Sequence, residues 1–197
     1  MKAKFEELIE GFVTGNVGIS ETFLSLRLAA ALRQNLLHLN ATHQMVSAGI
    51  GNQPDKDKGQ KTRSDKTCWL GNDPGNHAED EFLDMIREFV GHLNGTCYTG
   101  LNAFEFHYAL YEEGAFYKRH KDQFKNNDNR KYSLISYLNE NWTESDGGQL
   151  IIHDGESKQY IVPGNQKAVF FQSNKTEHEV AVANRARMSV TGWLKQV

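Results

Sequence analysis

From Tyr98 onward the chain is a succession of short aromatic and β-branched runs. Each is closed by a turn-forming cluster: Glu-Glu-Gly, Asn-Asn-Asp-Asn, Ser-Asp-Gly-Gly, Asp-Gly-Glu-Ser or Pro-Gly-Asn. Aromatic and β-branched side chains pack well on a pleated, half-buried surface, and Gly, Asn, Asp and Pro supply the backbone conformations that tight turns need. The rhythm predicts strands near residues 103–111, 115–122, 131–138, 148–153, 158–162, 168–172, 178–182 and 186–194. Eight short strands with this punctuation fit an antiparallel jelly roll.

The first half reads differently. Phe5, Leu8, Ile9 and Phe12 have amphipathic spacing, and Leu24, Leu28, Leu32 and Leu36 recur every fourth residue after a candidate N-cap, Ser20. Phe82, Ile86, Phe89 and Val90 predict a third helix that ends between Gly91 and Gly95. Between them, residues 50–66 are rich in Gly, Lys, Asp and Gln and read as a long polar loop, a kind of segment that is often functional. At 197 residues and 39% hydrophobic content the chain has the size of one domain. We expect a single α+β unit over 1–197: residues 1–95 as mainly helical support with the loop near 50–69, and residues 96–197 as the β-core, the helices packed on one of its sheets.

Composition removes several function classes. No apolar run approaches the roughly 18 residues of a membrane span. Acidic residues occupy the place of a secretory signal's apolar stretch, so a cytoplasmic location is expected. Cys68 and Cys97 form no C-x-x-C pair and read as free thiols. A net charge of −3 gives no general attraction to phosphate backbones, and Lys56, Lys58, Lys61, Arg63 and Lys66 read as a solvated loop, so nucleic acid is disfavoured as a direct ligand.

The last strand carries the strongest chemical signal. Alternation puts Met188, Val190, Gly192 and Leu194 on an apolar face and Arg187, Ser189, Thr191 and Trp193 on a polar one. A guanidinium inside a barrel would need an anion, and its planar fork suits a carboxylate. His120 and Asp122 are two residues apart on a predicted strand, so both project from one face, and His178 opens a later strand. Two histidines and a carboxylate make the facial triad of non-haem Fe(II) oxygenases, which leaves coordination positions open. The same three residues are also readable as scattered surface polars. His107 and His153 are taken as surface or hydrogen-bonded histidines, and Glu79 of His77-Ala78-Glu79 as a charge near a helix N-terminus.

Taken with their neighbours, these residues resemble the 2-oxoglutarate and Fe(II)-dependent dioxygenases of the prolyl 4-hydroxylase-like branch, in particular the hypoxia-sensing prolyl hydroxylases and their bacterial relatives. The resemblance runs from about Thr62 to Trp193. It rests on Arg63-Ser64-Asp65-Lys66-Thr67-Cys68-Trp69, Tyr111 before Gly114, Tyr117-x-x-His120-x-Asp122, Tyr137-Leu138-Asn139-x-x-Trp142, Gly147-Gly148-x-Leu150, His178-Glu179-Val180 and Arg187. It implies a cupin-like double-stranded β-helix with Fe(II) held by His120, Asp122 and His178. Arg187 would pair with the distal carboxylate of 2-oxoglutarate, helped by Tyr137, with Tyr111 and Thr191 lining the cosubstrate site. O2 would be the second cosubstrate, and ascorbate a further candidate.

The resemblance also implies hydroxylation of a prolyl residue in a protein or peptide, coupled to decarboxylation of 2-oxoglutarate to succinate and CO2. Arg63, Asp65, Arg130 and Trp193 would meet that substrate, with Arg130 placed to pair with Asp65. Glu112-Glu113-Gly114 departs from the relatives' turn, and Gly192 is expected to leave space beside Trp193. Two other readings stand beside this one: an oxygenase of a free amino acid or other small metabolite, and a non-catalytic jelly-roll binding protein. A zinc hydrolase is weaker, because no residue is evident as its general base.

Overall fold

The computed structural model describes residues 2–49, 62–71, 75–123 and 128–197. The polar loop expected at 50–66 therefore lies largely outside the described residues, as do Lys56, Lys58 and Lys61 of its basic cluster. In chain order the elements are α1 (Lys2–Gly15), β1 (Val17–Ser20), α2 (Leu26–Ala41), β2 (Val46–Ser47), β3 (Lys66–Trp69), α3 (His77–Cys97), β4 (Ala103–Tyr111), β5 (Tyr117–His120) and β6 (Arg130–Tyr137). A short 3-10 turn (Glu144–Asp146) leads to β7 (Leu150–Asp154), β8 (Ser157–Ile161), β9 (Ala168–Gln172), β10 (Glu177–Val180) and β11 (Arg187–Lys195).

All eight strands read from the β-rich half are present, within a few residues of their expected ends. They build two antiparallel sheets: a seven-stranded one in the order β1-β9-β6-β11-β4-β3-β2 and a four-stranded one in the order β5-β10-β7-β8. The first half, expected as mainly helical, also contributes three strands not foreseen, β1, β2 and β3, which extend both edges of the larger sheet.

Alternation decides which core each strand residue joins. Phe106, Tyr108 and Leu110 of β4, Leu134 of β6, Phe170 of β9 and Val190 and Leu194 of β11 face the helices, where they meet Leu8, Leu28, Leu32, Phe82, Ile86 and Phe89. Fully burying each such side chain contributes about 1.5–3 kcal/mol, so this helix-on-sheet layer is the main stabiliser. Ile135, Tyr137, Val169 and Phe171 point the other way and join Leu150, Ile152 and Ile161 between the sheets.

Helix ends follow capping chemistry rather than the nearest eligible residue. The N-cap of α2 is Ser25, whose Oγ accepts from the Leu28 N–H at 3.1 Å. Ser20 is instead the last residue of β1, and its hydroxyl donates to Glu7. Helix α3 runs through both Gly91 and Gly95, and it stops at Tyr98 in the left-handed conformation. Its unbroken apolar face outweighs the propensity loss at two exposed glycines.

Gly192 does not leave space beside Trp193. A Cβ there would lie 2.2 Å from the Glu105 carbonyl oxygen and 2.4 Å from the Phe106 ring, so the β4–β11 contact itself requires glycine. Gly192→Ala should therefore destabilise the fold by about 1–3 kcal/mol through overpacking, read as a lower urea midpoint at unchanged m-value. An unchanged midpoint would contradict the close approach.

Candidate metal centre and its pocket

The four-stranded sheet brings His120 and His178 together, because β5 and β10 pair with these two residues in register. Asp122 follows directly after β5. Its Oδ1 lies 3.4 Å from His120 Nε2 and 3.7 Å from His178 Nε2, and the three ligand atoms fall within 4.8 Å of one another. Each imidazole is fixed from behind: His120 Nδ1 donates to the Lys118 carbonyl at 2.7 Å and His178 Nδ1 to the Thr176 carbonyl at 3.3 Å. With Nδ1 donating, each Nε2 lone pair is turned to the centre, the tautomer a divalent cation needs. Asp122 Oδ2 accepts from Ser133 Oγ at 2.7 Å, so only Oδ1 remains for an ion. The Tyr117 ring stacks on His120 at 3.5 Å, and the Arg63 guanidinium sits 4.3 Å above Tyr117.

Charge states follow from this packing. Burial alone would raise the Asp122 pKa, but His178, His120 and the Ser133 hydroxyl outweigh it and hold the carboxyl well below its usual range. Burial pushes His178 down to about 4 despite Asp122, so it is neutral at physiological pH and free to ligate.

Arg187 opens β11 with 1% exposure, and its Nε donates to the Gly148 carbonyl at 2.8 Å. Gly148 has φ +64, and a Cβ there would meet Arg187 Cδ at 2.9 Å, so both its conformation and its space demand glycine. Tyr111 and Tyr137 put their rings 4.9 and 5.1 Å from the guanidinium carbon. Among the described residues no carboxylate pairs with Arg187, and the buried Tyr137 hydroxyl has no hydrogen-bond partner. Burial, against the pull of Arg187, pushes that hydroxyl up to about 12, so it stays a donor. A buried cation beside an orphaned donor fits a carboxylate that brings the missing charge and acceptor.

These groups share one cavity of about 370 Å³, lined at one end by Arg187 and Tyr111 and at the other by Trp69 and Trp193, with Thr191 on the wall between. Of the residues expected to meet substrate, Arg63, Arg130 and Trp193 line it and Asp65 does not, and the pairing differs from the one expected. Asp65, 1% exposed, is gripped by Arg63 through bonds of 2.5 and 2.7 Å. Burial would lower the Arg63 pKa, but this bidentate partner raises it. Arg130 pairs instead with Glu105 at 2.8–2.9 Å and lies 3.3 Å over the Trp193 ring. Arg63 is two residues from Asp65 in an extended segment and reaches it first.

Sequence reasoning missed several contributors. Ser133 and Ser173, bonded to each other at 2.9 Å, brace Asp122, and nothing in their own motifs marks them. His107 was expected at the surface or hydrogen-bonded. It is 5% exposed, lines the cavity, and its Nδ1 has no partner. His153 does match its expectation, bonded to Glu179 at 3.1 Å. Glu79 is more than a charge near a helix end, since it is buried and accepts from Asn35 and the Gly71 N–H. Cys68 and Cys97 are free thiols. No helix among the described residues is long and apolar enough to cross a membrane.

Comparison with known proteins agrees with this geometry. The family model of the 2OG-Fe(II) oxygenase superfamily matches residues 106–195. A prolyl-4-hydroxylase of Pseudomonas putida is 31% identical, with a TM-score of 0.87 over 98% of this chain and 99% of that one. A Trichoplax adhaerens prolyl hydroxylase, solved in complex with a hypoxia inducible factor oxygen degradation domain peptide, has a TM-score of 0.86 at 23% identity, over 97% of this chain and 88% of that one. Egl nine homolog 1 of Homo sapiens is 25% identical over 98% of this chain and 47% of its own length, so the chain spans about half of that relative. The matches to these three individual proteins reach into the first 60 residues, beyond the Thr62 boundary expected from motifs, whereas the family model covers only residues 106–195.

His107 and His178 set a pH dependence. Burial, reinforced for His107 by Arg63, lowers His107 from 6.5 to about 3 and His178 from 6.5 to about 4. Below pH 6.5 the unfolded chain gains a proton at each histidine that the folded chain refuses until pH nears those values. Stability of EDTA-treated protein should therefore fall from pH 6.5 to 4.5, by about 1.4 kcal/mol per pH unit for each histidine. In urea unfolding His107→Gln should make this slope shallower by one proton, and equal slopes would show that His107 is not held neutral by burial.

Proposed function

This chain belongs to the 2OG-Fe(II) oxygenase superfamily, and we propose that within it the chain acts as a prolyl hydroxylase on a proline-containing protein or peptide. The observation that carries the reading is the presence, on the walls of one cavity, of a His-Asp-His cluster and of a buried Arg187 without a carboxylate partner among the described residues. The non-catalytic binding reading would be favoured by an Arg187 turned to solvent, and Arg187 is 1% exposed. The prolyl substrate class is supported by likeness to the Pseudomonas putida enzyme over nearly the full length of both chains.

His120, Asp122 and His178 would hold Fe(II), and their second-layer bonds suit that role: each Nδ1 is tied to a carbonyl, and Asp122 is kept monodentate by Ser133. When bound, Fe(II) with 2-oxoglutarate and O2 supplies the oxidising chemistry that converts a substrate C–H to C–OH while 2-oxoglutarate is decarboxylated to succinate and CO2. Arg187 holds the distal carboxylate of 2-oxoglutarate, with its fork oriented by the Gly148 carbonyl. The Tyr137 O–H would hydrogen-bond the same carboxylate, and the Tyr111 ring lies against the guanidinium. Thr191, whose hydroxyl already meets Ser189 at 3.1 Å, lines the path toward the metal cluster.

At the cavity's other end the half-exposed Trp69 gives a flat apolar face suited to a proline ring, beside Trp193, whose own ring is covered by Arg130. Arg63, held by Asp65, lines the cavity beside Tyr117.

The test has two parts. Anaerobic protein with Fe(II) and 2-oxoglutarate should show a visible charge-transfer band. Mass spectrometry after aerobic incubation with short proline-containing peptides, the hypoxia inducible factor oxygen degradation domain peptide among them, should show gain of one oxygen on proline. Arg187→Ala should weaken 2-oxoglutarate by roughly 30- to 5,000-fold, matching about 2–5 kcal/mol for a truncated buried charge pair, while Co(II) still binds. His178→Ala should lose turnover. A band without any hydroxylated proline would leave the oxygenase and reject the prolyl substrate.

A further inference from the structure

We infer that His107 is a substrate-contacting residue whose imidazole hydrogen-bonds a backbone peptide group of the segment carrying the target proline. The inference rests on the prolyl hydroxylase reading and names a specificity determinant within that site.

Position comes first. In the β4–β11 ladder Arg187 is opposite Tyr111, Ser189 opposite Ala109, Thr191 opposite His107 and Trp193 opposite Glu105. His107 therefore stands four residues, about 13 Å of strand, from Tyr111 at the Arg187 end of the cavity. The ladder thus sets His107 apart from Tyr111, whose ring lies against the Arg187 guanidinium. His107 belongs to the end where Trp69 and Trp193 are, its ring 5.1 Å from the first and 5.4 Å from the second.

Chemistry comes second. His107 is 5% exposed, and among the described residues its Nδ1 has no hydrogen-bond partner; the buried Trp193 Nε1 beside it has none either. Buried polar atoms in folded proteins are nearly always partnered, so two orphans on one cavity wall mark a place where something else supplies the bonds. Burial and the neighbouring Arg63 and Arg130 keep the imidazole neutral, with one donor and one acceptor nitrogen. That complement matches a peptide group, which offers one N–H and one C=O, better than a carboxylate or an ammonium. The cations nearest the imidazole are already committed, Arg130 to Glu105 and Arg63 to Asp65.

The experiment takes a peptide that wild type hydroxylates and a series in which each peptide bond near the proline is replaced in turn by an ester. Wild type, His107→Met, His107→Asn and Trp193→Phe are compared. Asn carries a polar atom where Nδ1 sits, and Trp193→Phe removes only the indole N–H and part of the ring.

His107→Met should raise the peptide KM about tenfold, with a smaller change in kcat, in keeping with one lost hydrogen bond. His107→Asn should recover most of the loss. One ester position should cost wild type about tenfold and His107→Met nothing further. Anaerobic 2-oxoglutarate binding, which also certifies the fold of each variant, should stay within about twofold.

An unchanged peptide KM in His107→Met, or an ester penalty equal in wild type and variant at every position, would overturn the inference and leave prolyl hydroxylation standing. Weakened 2-oxoglutarate binding in its place would assign His107 to the cosubstrate and overturn it as well. If wild type hydroxylates no peptide, the prolyl reading fails first and the inference falls with it.

Discussion

The nine-residue antiparallel ladder between β4 and β11 is the constraint on which the rest of the molecule depends. One strand face of this ladder must be apolar enough to hold three helices, and the other must be polar enough to line a cavity. Period-2 alternation meets both demands with one sequence. Val190 and Leu194 go to the helices while Arg187, Thr191 and Trp193 go to the cavity. A slip of one residue would turn Arg187 to the helix side beside Leu110 and turn Val190 into the cavity, so register and function are fixed together. Gly192 lets the two strands approach closely enough for that register to hold.

Electrostatics inside the cavity is arranged as a series of closed accounts with one left open. Asp122 is balanced by two histidines and a serine, Asp65 by Arg63, and Glu105 by Arg130 and Lys195. Arg187 has a backbone carbonyl and two aromatic rings around it instead. Since isolated buried charge is strongly disfavoured, the arrangement favours binding of an anion at one place and resists it elsewhere.

Much of this was legible from residues alone, and the misses have physical reasons. β11 could be read because strand alternation is local; His120, Asp122 and His178 were marked by residue type and motif, since Asp122 lies past the end of β5 and His178 on a distant strand. β1 could not: four residues after an Asn in the left-handed conformation become a strand only by pairing with β9, some 150 residues later. The pairing of Asp65 was misjudged because the resemblance supplied residue types without distances, and Arg63 is nearer than Arg130. His107 was undervalued although its signal was available. It is an even number of residues from Tyr111 on one strand, so alternation already placed both on the same face. The position of Ser133 and Ser173 behind Asp122 depends on how β6 and the turn after β9 meet, which no local pattern encodes.

The centre is divided between the two sheets. His120 and His178 stand on the four-stranded sheet, while Arg187, Tyr111 and Tyr137 stand on the seven-stranded one. The gap from metal cluster to guanidinium is thus set by how far apart the sheets pack, about 10 Å in stacked sheets, and by the side chains wedged between them. Ile135, Leu150 and Val180 line the cavity at that boundary. They act as a ruler: the length of dicarboxylate that reaches both ends is measured by hydrocarbon volume, so cosubstrate choice in this fold is written partly in residues that never touch a charge.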